Sequence, residues 1–273
     1  MLQRLPPLLI LPLMMAVSAA AAQTDIPLAP HEAVYDLTLQ KATRRSGIVT
    51  ARGRIVMALR GGPCEGWSET TRMMVRYVFR RRGLRITDAR NTSWEAADGS
   101  VFSYASSNYL NGRKTRETRL RAVTGGENTG SVRFSLPKMR TTSLPSGAIF
   151  PQAALKRVIA RARRGKAGFS YLGYEGFENG RARLISVLIG KPRPGDARFA
   201  ALKSLRAWPV SFAYYPLDGE GKPREKDFGL PEYELAFVLH ENGVVSDARF
   251  IYRDMTLAGR LTSLKILPGS VCR

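Results

Sequence analysis

The stretch Gly61–Phe79, GGPCEGWSETTRMMVRYVF, decides the fold class. From Trp67 onward it has a period of two. Trp67, Glu69, Thr71, Met73, Val75, Tyr77 and Phe79 share one face; Ser68, Thr70, Arg72, Met74, Arg76, Val78 and Arg80 share the other. The first face is mostly apolar and the second mostly polar or basic, which predicts a half-buried antiparallel strand. A run this long predicts a bend or a bulge near Met73-Met74.

The same alternation recurs on both sides of this stretch. Tyr35, Leu37 and Leu39 share a face, as do Ile55, Met57 and Leu59, then Val132, Phe134 and Leu136, then Tyr233, Leu235, Phe237 and Leu239. Between such runs stand Asp98-Gly99, Asn111-Gly112, Asn179-Gly180, Asp218-Gly219 and Asn242-Gly243. These dipeptides supply the positive φ that tight hairpins need, so a meander of antiparallel strands is expected. One segment departs from the pattern. In FPQAALKRVIARARRG, Phe150–Gly165, Pro151 suits the first helical position and Gly165 the stop. Leu155, Val158, Ile159 and Ala162 fall on one face at helical spacing, and Lys156, Arg157, Arg161, Arg163 and Arg164 supply the rest. A helix over about 151–164 is predicted, packed by its apolar stripe on the sheet. A basic amphipathic helix can also lie on an anionic membrane. Leu155, Arg157, Val158, Ile159 and Arg161 are the candidate interaction residues. Gly190–Pro209 reads as a long loop with a short helical turn, of the kind that often borders a functional mouth. The aromatics of AWPVSFAYYPL and GFSYLGYEGF read first as core; in an open barrel they can also line a groove for an acyl chain.

The first residues read as a targeting segment. Arg4 precedes an apolar run, Leu5–Val17, and Ala20-Ala21-Ala22 gives a small-residue cleavage signal. The expectation is a signal peptide over 1–22 and one mature β domain over 23–273, with no later transmembrane segment. Export gives the two cysteines a meaning, because thiols outside the cytoplasm tend to be oxidised. With only Cys64 and Cys272 in the chain, one intramolecular pairing is possible. It would tie an early strand to the C-terminal tail, and closing so long a loop is worth roughly 5 kcal/mol in the chain-entropy model.

Charge and chemistry narrow the function classes. Lys and Arg number 43 against 22 Asp and Glu, a net charge of +21, and 33 of the cations are Arg. Such a chain attracts polyanions, but export argues against nucleic acid and leaves envelope components; a solvated basic surface without a specific ligand is the plainer reading. The only histidines are His31 and His240. HEAVY lacks the second His of a zincin motif, and no nucleophile elbow, phosphate loop or dinucleotide fingerprint is present. Neither catalysis, a metal nor a cofactor is expected. Glu95 and Asp98 read as flanks of a turn.

The order of LAPHEAVYDLTL, GRIVMAL, PCEGW, SWEAADGSVFSY, IFPQAALKRVIARARRG and a single late Cys resembles the EipB-type cell-envelope integrity proteins of Gram-negative bacteria. The resemblance covers nearly the whole mature chain. It implies a mainly β fold: a large antiparallel, spiral-like or incompletely closed barrel sheet with one central α-helix, and a disulfide between Cys64 and Cys272. It also implies a periplasmic protein that supports the envelope under stress, with no enzymatic activity, but it supplies no ligand. Export, the stapled β architecture and the lack of a catalytic motif make binding of a protein partner or an envelope component the leading expectation. The alternative is a lipid or lipoprotein carrier that uses an apolar groove of the open barrel.

Overall fold

The computed structural model describes residues 26–125, 128–177, 180–218 and 230–270. The predicted targeting segment, Cys272, Asn179 and Gly219 lie outside them. The first half of the chain is a run of hairpins: β1 (His31–Ala42), β2 (Ile48–Gly62), β3 (Gly66–Phe79), β4 (Gly83–Glu95), β5 (Val101–Leu110), β6 (Arg113–Gly125), β7 (Asn128–Leu136) and β8 (Arg140–Leu144). Helix α1 (Pro151–Arg163) follows. The second half holds β9 (Gly168–Gly173), β10 (Arg183–Ile189), the short β11 (Arg193–Pro194), β12 (Arg206–Pro216), β13 (Tyr233–His240), β14 (Val245–Tyr252) and β15 (Met255–Ile266).

All these strands form one antiparallel sheet in the order β8-β7-β6-β5-β4-β3-β2-β1-β15-β14-β13-β12-β10-β9, with β11 beside β12. The terminal strands β1 and β15 are therefore neighbours in its middle, and both free edges come from the middle of the chain. The segment joining those edges almost closes the ring. Ile149 bridges to Gly173, its N–H donating to Leu172 O at 2.8 Å while Tyr174 N–H donates to Ile149 O at 3.0 Å. Among the described residues no other strand pairing joins these edges, so the sheet is an incompletely closed barrel.

The expected alternation holds along β3. Trp67 and Val75 are buried, whereas Ser68, Thr70, Arg72 and Arg76 are exposed. The irregularity expected at Met73-Met74 is not there: Met73 pairs with Ile55 and Met74 with Arg54 in unbroken register. The bulge is at the other end of the hairpin, between Ile48 and Thr50 of β2. Further shifts occur between Val34 and Tyr35 and between Leu39 and Lys41 in the β1–β15 ladder. Each extra residue bends a strand, which helps so many strands curl back on themselves. At the β2–β3 turn that carries Cys64, Gly61 and Gly66 have φ of 112° and 82°, a backbone state that a Cβ disfavours.

Side chains occupy the inside of the curl. Phe150, Phe102, Phe134, Leu144 and Tyr174 fill the seam between the free edges, with Phe150 stacked on Phe102 at a centroid distance of 5.2 Å. Tyr35, Leu37, Ile55, Val75 and Leu257 pack together with Leu202, which the loop before β12 delivers to the core. Trp208, Phe212, Tyr214 and Tyr171 pack with α1. These aromatics take the core role expected of them. His31 and His240 are both buried, the latter 3.0 Å from Ser246 Oγ through Nε2.

Candidate functional site: the helix that closes one end of the sheet

Helix α1 begins where sequence predicts, with Pro151 in the first turn, but its start has no cap of its own. Phe150 occupies the N-cap position and makes no side-chain hydrogen bond there. The orphan N–H groups of a helix start need acceptors, more so when buried. Glu95, at the end of β4, supplies both: Gln152 N–H donates to Oε2 at 2.7 Å and Ala153 N–H to Oε1 at 2.8 Å. Gln152 is also tied to β3, its Nε2 donating to Glu69 Oε2 at 3.0 Å, while Thr71 Oγ1 donates to Glu69 Oε1. At the far end Arg163 donates to Glu241 O, in the β13–β14 turn. Between these anchors Val158 and Ile159 are fully buried, each worth roughly 1.5–3 kcal/mol of burial. The helix lies across the end of the curl as a plug.

Its anchoring places carboxylates in the interior. Glu95 is 2 % exposed. Burial pushes its carboxyl up to about 7, against the pull of the two helix N–H groups and of Lys156. Glu175, just past β9, is likewise pushed to about 7 by burial, with Arg183 and the Tyr214 hydroxyl acting in the opposite direction. Burial also raises Glu69. These groups are committed to protein donors, and the described residues hold no cluster of three or more His, Cys, Asp or Glu that fits a metal ion.

A pH dependence follows. Below pH 7 but above the ordinary carboxylate range, the folded chain holds protons on Glu95 and Glu175 that the unfolded chain releases. These two groups make stability fall as pH rises through this window, whereas the buried His31 and His240, which burial lowers, act with the opposite sign below the ordinary imidazole range. The raised Glu95 corresponds to a change on the order of 3 kcal/mol. Asp88 acts with the opposite sign. Hydrogen bonds from Arg72 and Arg90 lower it to about 2, so its contribution disappears as pH falls below 4. The gap in denaturant midpoint between the wild type and Glu95→Gln is expected to move in the wild type's favour as pH falls from about 7.5 to 5; a gap that stays constant over that range contradicts this assignment.

The outer face of α1 is different. Arg157, Ala160, Arg161, Arg164 and Lys166 surround a surface cavity of about 310 Å³. Arg161 lies 4.5 Å over the Phe169 ring. Unlike Arg163, none of the four cations lining the cavity pairs with an acid among the described residues. The five predicted interaction residues thus divide: Arg157 and Arg161 line the cavity, Leu155 is half-buried against the core, and Val158 and Ile159 are wholly inside it. A helix that uses its apolar stripe to plug the sheet has no second apolar stripe to lay on a membrane. A second cavity, of about 840 Å³, adjoins the predicted long loop at Arg198 and Phe199, with Asp36, Asp247 and Arg260 also on its wall. There Arg198 is paired with Asp196 and Asp247.

Cys64 is not a free thiol. Cys272 lies outside the described residues, but the tail leading to it is placed. Leu267 N–H donates to Pro30 O at 2.8 Å, and Ser270 packs on Gly62, two residues before Cys64.

Comparison with known proteins agrees with this architecture. The EipB-like family model matches residues 22–268. The chain is 30% identical over 253 residues to the cell envelope integrity protein EipB of Brucella abortus (strain 2308), a match spanning 91% of this chain and 88% of that one. The crystal structure of a β-barrel-like protein of a domain of unknown function from Brucella abortus superposes with a TM-score of 0.80 at 29% identity, covering 89% of this chain and all of that one. With its open barrel of strands and single plugging helix, the chain belongs to the EipB-like family.

Proposed function

We propose that this chain is a non-enzymatic periplasmic protein that helps maintain the cell envelope by binding another periplasmic protein at the outer face of α1. The observation carrying this reading is the cavity of Arg157, Arg161, Arg164 and Lys166, four cations on and just past α1 that have no acid partner among the described residues, beside a helix that cannot shift without breaking its anchors. Such a surface suits an acidic segment of a partner. The targeting layout of residues 1–22 and the name of the Brucella relative support the location and the envelope role. A Cys64–Cys272 disulfide belongs to the same proposal, and the packing of Ser270 on Gly62 supports it. Lipid carriage is the weaker alternative, because the aromatics that would line an acyl groove are packed together with α1.

The test is crosslinking in the periplasm followed by affinity purification of the wild type and of the Arg157→Glu/Arg161→Glu double variant. The expected result is a discrete partner that the variant loses while keeping its melting temperature. An unchanged set of partners in the variant, or no reproducible partner across several crosslinkers, overturns the proposal.

A further inference from the structure

The end of the sheet remote from α1 carries a second basic surface, with a different character. There the β1–β2 tip (Arg44–Ser46) and the β3–β4 tip touch, Arg80 N–H donating to Gly47 O at 2.8 Å. Arg44, Arg45, Arg80, Arg81 and Arg82 all project from these tips and are exposed. Just behind them the outer face of the sheet is apolar where solvent should favour polar residues. Val78 pairs with Leu84 across β3–β4, and Val49 sits in the β2 bulge beside them; they are 41%, 46% and 51% exposed. Next along the same face, Arg52 stands directly opposite Arg76. Like charges directly opposed across two strands destabilise a sheet unless an anion lies between or over them.

The chain could have neutralised these arginines, as it does nearby. Arg54 pairs with Asp36, Arg60 with Glu32, and Arg72 and Arg90 with Asp88. Arg44, Arg45, Arg52, Arg76, Arg80, Arg81 and Arg82 have no ion-pair partner among the described residues. Asp254, on the adjoining β14–β15 tip, accepts from Thr43 Oγ1 at 3.3 Å and has Arg253 next to it. A basic rim around exposed apolar side chains matches the cross-section of a bilayer surface, with phosphates outermost and hydrocarbon beneath. A soluble polyanion has no use for Val49, Val78 and Leu84.

We infer that this rim of hairpin tips docks the protein on an anionic membrane surface, arginines on lipid head groups and the Val49–Val78–Leu84 patch at the acyl boundary. The helix cavity, at the opposite end, would then face away from the membrane, open to a partner. The two surfaces are independent, so either can fail alone.

The test is co-sedimentation of the mature chain, residues 23–273, with vesicles of phosphatidylglycerol and phosphatidylcholine, and with phosphatidylcholine alone. The wild type is expected to bind the anionic vesicles and not the neutral ones, with affinity falling as salt rises. The Arg44→Glu/Arg45→Glu/Arg81→Glu/Arg82→Glu variant should lose at least about 100-fold in affinity, given the usual contribution of each cation near a charged surface. Val78→Thr/Leu84→Ser, a mild change at exposed positions, should lose roughly tenfold. The Arg157→Glu/Arg161→Glu helix variant should bind as the wild type does. Absence of wild-type binding, equal binding to neutral vesicles, or full binding by the fourfold variant overturns the inference. So does full binding by the Val78/Leu84 variant, which would make the rim a site for soluble polyanions, and so does loss confined to the helix variant.

Discussion

Replacing Glu95 by alanine is expected to lower stability by roughly 2–4 kcal/mol, because it leaves two buried helix N–H groups without acceptors. For a chain of this length that is a fall in melting temperature of roughly 5–15 °C. The loss should be local at first: amide exchange ought to accelerate across Gln152–Leu155 before it does in β3 or β4. Glu95→Gln separates capping from charge. It keeps one acceptor oxygen, so it should cost about 1–2 kcal/mol, and it removes the Glu95 share of the pH dependence between 5 and 7.5. A melting temperature for Glu95→Ala within 2 °C of the wild type, taking 2 °C as about the smallest shift to be read as a loss, would mean that α1 is held by its apolar face alone.

Removing the proposed staple is expected to have a comparable or larger effect. Cys64→Ser, Cys272→Ser or reductant should each destabilise the chain by up to roughly 5 kcal/mol, the chain-entropy value for so long a loop, without preventing folding. Beyond β15 the described tail is tied to the barrel by contacts such as Leu267 N–H to Pro30 O and Ser270 against Gly62. The single and double cysteine variants should therefore melt alike, and all should be indifferent to reductant. Two titratable thiols in protein recovered under non-reducing conditions, or equal melting of the wild type with and without reductant, would contradict the pairing.

Much of the architecture was legible because it rests on local periodicity. Trp67 to Phe79 alternates as a strand half-buried on one side must, Asn111-Gly112 turns with φ of 50° and 79° as its side chains allow, and Pro151 starts the helix. The closure of the curl was not legible. The pairing of β1 with β15 joins opposite ends of the chain, and Ile149 meets Gly173 through a single bridge with no pattern of its own. The bulge was misplaced for a related reason. Adjacent methionines suggest a break in alternation, but Met74 is half-buried on the outer face and keeps the register, while the extra residue is Val49.

The site was legible in part. The helix and its basic residues follow from composition, and the assignment of Arg157 and Arg161 needed only their position off the apolar stripe. Val158 and Ile159 belong to that stripe, and one apolar face cannot both plug a sheet and meet a partner. In the sequence Glu95 reads as a turn residue because it stands beside Asp98-Gly99. Its role depends on a helix that arrives 57 residues later in the chain, and nothing near Glu95 announces it. The faint signal was the pair Glu69 and Glu95 at inward-facing positions of β3 and β4, where an apolar residue would be ordinary.

The most direct test is a photo-crosslinking amino acid placed at position 160, on the wall of the helix cavity with all four of its cations kept, and at position 121 on the outer face of β6 as a reference, in growing cells. One discrete adduct is expected from position 160 that position 121 does not form. No adduct at 160, or the same adducts at both positions, would contradict partner binding at this face.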